Sequence, residues 1–122
     1  AELARITARH GTIVIVTPKR GYESGLILKA HCGSTKPDAY WQNMHSDPKR
    51  EELLLQEALL DEEVFRQMRM VLEVNRRIFQ NARFHFFTEP EIRTIVQSAG
   101  FSIVDYRETY ARQSHLLVAC RT

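Results

Sequence analysis

The sequence predicts an α/β domain built on a three-stranded mixed sheet with a helical insert. Three observations predict it. Two continuous apolar runs, Ile13–Val16 and Leu116–Cys120, have the length and branching of strands. Thr88–Gly100 carries a complete set of helix start and stop signals and leads directly into an apolar run that begins at Phe101. Ala111–Ser114, between the last two strands, is short and polar, so those strands must turn back on each other.

The elements follow in order. Leu3, Ala4 and Ile6, interleaved with Arg5 and Arg9, read as the last turns of a helix, with Gly11 where a glycine stop belongs. Because the chain starts with Ala1 in the middle of that pattern, a truncation, a split gene or a processed product is expected. Thr12–Val16, ended by Thr17-Pro18, reads as a strand covered on both faces. Residues 19–45 are punctuated by Gly21, Gly25, Gly33 and Pro37; Leu26–Leu28 reads as a short helix or strand, the remainder as loop. Ser46-Asp47-Pro48 starts a helix that the pattern carries to about Leu60. A second helix begins near Asp61 and runs to about residue 82. Val64, Met68, Val71, Asn75 and Ile78, flanked by Phe65, Leu72 and Phe79, give it a wide apolar face.

Thr88 and Glu91 have the spacing of a capping box, and Phe87 and Ile92 that of a hydrophobic staple. Ile92, Ile95, Val96 and Ala99 line one face of this helix, and Gly100 closes it. Phe101–Tyr110 is the next strand and 115–121 the last, whose unbroken apolar run favours a central place. The handedness of crossover connections lets strands 12–16 and 101–110 be parallel members of one sheet, with 115–121 antiparallel between them. All of 1–122 reads as a single domain, with 19–86 as a helical insert or lid.

Composition narrows the function classes. The 17 basic and 15 acidic residues nearly cancel, and no basic stripe interleaved with aromatics occurs, so nucleic acid is not an expected partner. No apolar run reaches the roughly 20 residues a membrane span needs. Two cysteines, Cys32 and Cys120, offer no disulfide framework and suggest a reducing, cytoplasmic setting.

Three segments together resemble a known family. "LARITARHGTIVIVTP" (Leu3–Pro18) is similar to a helix–glycine–strand segment, with Arg9-His10-Gly11 in place of a Lys-Pro-Gly-Gly-like turn. "FTEPEIRTIVQSAGFSIVDYRETY" (Phe87–Tyr110) is similar to a Thr-x-x-Glu helix, an Ala-Gly-Phe corner and an outgoing strand. "HLLVACR" (His115–Arg121) resembles a terminal strand. In this order they resemble the C-terminal half of the Class I, Rossmann-like, S-adenosylmethionine-dependent methyltransferases. The resemblance implies a partial Rossmann-like methyltransferase fold and, for the intact family fold, S-adenosylmethionine as cofactor. That family binds its cofactor with an acidic residue and a glycine-rich loop after its first strand; Gly21-x-x-x-Gly25 and Gly33 match neither. No cofactor residue carries over, and this chain alone is expected to bind no cofactor and to be inactive.

Methyl transfer needs alignment of acceptor and methyl group, with a base where the acceptor is protonated. Family members take substrate contacts from the segment after strand 12–16 and from the insert. The resemblance therefore implies Thr17, Pro18, Tyr22, His31, Tyr40, Trp41 and His45 as substrate-facing candidates, facing a small-molecule methyl acceptor. The competing reading is that these aromatics anchor an irregular segment to the core. No catalytic residue is identified. His31-Cys32 with His45 fits no zinc spacing, so no metal is expected. His85 reads as a hydrogen-bonded core histidine, and His10 and His115 as structural or surface residues. Gly33-Ser34 lacks the setting of a hydrolase nucleophile.

Two functions follow. One is the substrate-facing C-terminal part of a methyltransferase that needs an N-terminal half from elsewhere. The other is a non-catalytic oligomerisation or protein-interaction module derived from that fold. In the second, the chain is a homo-oligomer or holds a partner, either across the edge of strand 12–16 or through helix 61–82.

Overall fold

The computed structural model describes residues 2–58, 61–81 and 84–122, excepting the Phe79 side chain. The expected helix ends at Leu60 and Ala82, and the packing of Phe79, lie outside the described residues. In chain order the elements are α1 (Glu2–Ile6), β1 (Thr12–Pro18), α2 (Ser24–Cys32), α3 (Asp38–Trp41), a 3-10 turn (Met44–Ser46), α4 (Pro48–Glu57), α5 (Glu62–Asn81), α6 (Glu89–Ser98), β2 (Phe101–Thr109) and β3 (Ser114–Arg121). They group into two compact units. One runs to Tyr22 and resumes at Phe86; the other covers the residues between.

The first unit holds the sheet, in the order β1-β3-β2. β3 is antiparallel to β1, with Val14 opposite Val118, and antiparallel to β2, with Tyr106 opposite Leu117. The expected mixed, Rossmann-like sheet is therefore corrected: the three-stranded sheet is fully antiparallel, with no parallel pair of neighbouring strands. The physical reason is the tight turn at Tyr110, Ala111 and Arg112, all at positive φ, which folds β3 back along β2. β3 then fills the space beside β1, so every strand neighbour in the sheet is an opposite-running one.

One face of this sheet is packed and the other is open. α6 lays Ile92 and Val96 on Phe101, Leu117 and Ala119, with Ile13, Ile15, Phe87 and Tyr106 around them. The opposite face presents Val14, Val16 and Val104, each at least half exposed. The expectation that β1 is covered on both faces is thus corrected: its residues alternate in burial along the strand. α6 starts as its sequence dictates. The Glu91 carboxylate accepts the Thr88 backbone N–H at 2.7 Å and the Thr88 hydroxyl at 3.0 Å. Gly100, at φ +84°, ends it. At the other end of the sheet the left-handed residue after α1 is His10, at φ +63°, not Gly11. Gly11 is needed for closeness instead: a Cβ there would lie 2.8 Å from the Ala8 carbonyl oxygen.

The second unit is helical. Its core is Leu28, Trp41, Met44, Leu54, Leu55, Ala58 and Leu72. Leu26–Leu28, expected as a short helix or strand, lies within α2, and residues expected as loop supply the rest of α2, α3 and the 3-10 turn. Asp47 caps α4, its carboxylate accepting the Lys49 N–H at 2.9 Å, and Pro48 opens the helix. On α5 the inward row is Phe65, Met68 and Leu72, while Val64, Val71 and Ile78 face solvent. None of the described helices is long and apolar enough to cross a membrane.

Candidate functional site

Three stretches of the first unit meet where β1 ends: 17–22, 86–91 and 106–115. Backbone bonds join them, from Lys19 N–H to the Gln113 carbonyl at 2.9 Å and from Arg20 N–H to the Phe87 carbonyl at 3.0 Å. The alternation of β3 turns His115 to the packed face beside Leu117 and Ala119, and it is fully buried. Its Nε2–H donates to the Phe87 carbonyl at 2.8 Å, which leaves Nδ1 to accept the Tyr106 hydroxyl at 2.9 Å. With both nitrogens engaged, His115 positions neighbours; it takes no proton from a ligand.

Charged groups ring this node. Glu108 accepts from Lys19 and, at 2.8 Å, from Arg112; these two cations hold its carboxyl down at about 2. The Arg93 guanidinium lies 4.6 Å from the centre of the Tyr106 ring. Burial, followed by the nearby Glu89 and Glu108 charges, raises the Tyr106 phenol above its ordinary value. Arg20 bonds Glu91 at 2.8 Å, so the cap of α6 is also tied to the segment after β1.

Of the expected substrate-facing residues, Thr17, Pro18 and Tyr22 belong to this unit. Thr17 lies opposite His115 in the β1–β3 register, and Pro18 lies opposite Ser114. Tyr22 is half-buried, its ring centre 6.5 Å from that of Phe86, and burial raises its phenol. A separate apolar groove of about 310 Å³ lies on the same face towards the start of β1, lined by Leu3, Ile13, Ile15, Ile95 and Phe101 among others.

His31, Tyr40, Trp41 and His45 belong to the second unit. His31 is exposed on α2. Trp41 is fully buried, and its indole Nε1 has no hydrogen-bond partner among the described residues. Such a residue is core, not a contact surface. Tyr40 stacks edge-on against it at 5.6 Å, donates to Glu57 and lies beneath the Lys36 ammonium. Lys36 and Tyr40 lower the Glu57 carboxyl.

His45 is the candidate with an ordered chemical setting. Its Nδ1 meets Glu51 at 2.6 Å and its Nε2 meets the Ser24 hydroxyl at 2.8 Å. Glu51 is buried, and Arg76 holds its other oxygen at 2.6 Å. With the carboxylate on Nδ1 and the Ser24 hydroxyl on Nε2, both ring nitrogens are engaged and the imidazole is fixed in orientation. The linear sequence offers no sign of this row, since Ser24, Glu51 and Arg76 come from three helices.

One histidine reading changes: His85 is exposed and not in a core, whereas His115, read as structural or surface, is buried and structural. Both cysteines are unpaired and half-buried. Among the described residues no three His, Cys, Asp or Glu side chains cluster to hold a metal ion. The chain matches no protein-family model, no curated protein and no solved structure.

Proposed function

We propose that this chain is the C-terminal, substrate-facing portion of an S-adenosylmethionine-dependent methyltransferase acting on a small molecule. The cofactor-binding half would come from residues outside this sequence, in the same polypeptide or another. A reducing, cytoplasmic setting belongs to the same proposal.

One observation carries it. The three segments that resemble the family, separated in sequence by the long insert, all fall in one compact unit and make its sheet and covering helix. The other unit, 23–85, consists of residues of the insert that carry no resemblance. The open sheet face adds support. Val14, Val16 and Val104 are apolar and exposed, as expected of a sheet that another layer covers when the protein is whole.

In this reading Thr17, Pro18 and Tyr22 shape the acceptor's surroundings at the end of β1. S-adenosylmethionine, when bound, supplies the methyl group on its sulfonium. This chain's residues would hold the acceptor.

The test uses the residues encoded immediately before Ala1. The extended polypeptide is expected to bind S-adenosylmethionine in calorimetry and to move a labelled methyl group into a small-molecule fraction; the 122-residue chain is expected to do neither. Micromolar affinity of the short chain for the cofactor overturns the proposal; none in the extended one overturns its same-polypeptide form.

A further inference from the structure

α5 carries two apolar faces. The first, with Phe65, Met68 and Leu72, packs into the helical core. The second is formed by Val64, Val71, Val74 and Ile78, from 38% to 54% exposed, with Met70 beside them at 61%. Val64, Val71 and Ile78 recur every seven residues, and Gln67, Val74 and Asn81 fall three residues after each. The a row is β-branched at every position, while the d row holds Val74 between the polar Gln67 and Asn81, so the seam is apolar along a and at the central d position. A single helix needs one buried face to dock on its own core; a second, in heptad register, has no use within the unit.

The charges bordering the seam select its partner. The helix begins with Glu62-Glu63 and nears its end with Arg76-Arg77. Glu63 and Arg77 sit on the same border, immediately before Val64 and Ile78, and their side chains are 58% and 73% exposed. Parallel copies would set Glu63 against Glu63 and Arg77 against Arg77. Antiparallel copies set each Glu63 against the other copy's Arg77, bring Val64 opposite Val74, and oppose the two helix dipoles favourably.

We propose that α5 is a self-association surface, along which two copies of this chain pair antiparallel about Met70. The inference is independent of methyl transfer: it uses residues of the helical unit alone and would hold for a non-catalytic chain. One helix pair is a small interface, so the dimer is expected to be weak, with dissociation on the order of tens of micromolar.

Sedimentation velocity over a concentration series of the 122-residue chain reads this directly, with circular dichroism confirming that each variant is folded. The wild type is expected to shift from monomer to dimer as concentration rises. V71E/V74E, which charges exposed positions, is expected to stay monomeric at the highest soluble concentration. Glu63→Arg and Arg77→Glu are each expected to weaken dimerisation about tenfold, and the E63R/R77E double variant to restore it. Parallel pairing would leave the single charge variants no weaker than the wild type. That result overturns the proposal, as does a monomeric wild type or a V71E/V74E variant that still dimerises.

Discussion

Tyr106 and His115, neighbours across the β2–β3 ladder, share a hydrogen bond of 2.9 Å that fixes the histidine ring by its Nδ1 while Nε2 holds the Phe87 carbonyl. A buried histidine thereby links two strands to the chain that enters α6. Tyr106→Phe leaves Nδ1 buried without a donor and is expected to destabilise the sheet unit by about 1–2 kcal/mol. Amide exchange in β2 and β3 measures the loss. Nitrogen NMR of the ring is expected to show the Nε2–H tautomer at neutral pH; the Nδ1–H form would contradict the stated bond directions.

How much of this was legible in the sequence depends on how local the cause is. The start and end of α6 are written in adjacent residues, Thr88, Glu91 and Gly100, and each does its expected work. The β2–β3 turn is similarly local, and the strands expected at 12–16 and 115–121 are found at 12–18 and 114–121. Which bonds the strands share is not. A continuous run such as Ile13–Val16 says that branched residues favour extension, but nothing in it distinguishes a face buried within this chain from one left open. The same gap hid the two faces of α5, where period alone could not say which row turned inward. The His45 row was illegible for a third reason: Ser24, Glu51 and Arg76 are brought to it by packing of separate helices.

Glu108 gives the sheet unit a pH dependence with a definite sign. Lys19 and Arg112 stabilise its charged form and hold its folded value at about 2, against an ordinary value of 4.5. A depressed carboxyl contributes stability that is complete above the unfolded value and is lost as pH falls through the folded one. The contribution should therefore fade between about pH 4.5 and pH 2. In thermal melts across that window, wild type and Glu108→Gln are expected to converge as the solution becomes more acid. A constant difference down to the lower limit would assign the role of Glu108 to something other than its charge.

Gly25 is set by contact and not by backbone angle. A Cβ there would sit 1.7 Å from the Trp41 carbonyl oxygen, so α2 and α3 approach too closely for any side chain. Gly25→Ala must separate the two helices and is expected to cost about 3 kcal/mol or more. Gly33 offers the control: it has open space around it and a φ of +63°, so Gly33→Ala should cost about 1 kcal/mol. Trp41 is the protein's single tryptophan and lies in the helical core, so its fluorescence reports unfolding of this unit. Equal losses for the two variants would mean that the close approach is absent.

The two faces of β1 should respond differently to the same chemistry. Val14→Thr and Val16→Thr keep the β-branched shape that suits a strand and place a hydroxyl where the side chain is already open to water. Each is expected to change stability by less than about 0.5 kcal/mol. Ile15→Thr puts that hydroxyl among the residues packed around Leu117 and Ala119 and removes apolar contact there, at an expected cost of about 1–2 kcal/mol. The contrast separates folding from assembly. If the open face receives a further layer in the proposed larger protein, charging it with Val14→Lys and Val16→Lys should leave this chain's circular dichroism unchanged. The same change should abolish cofactor binding by the extended polypeptide. Loss of fold in the short chain would show that the face is already needed here, and the argument from its exposure would fail.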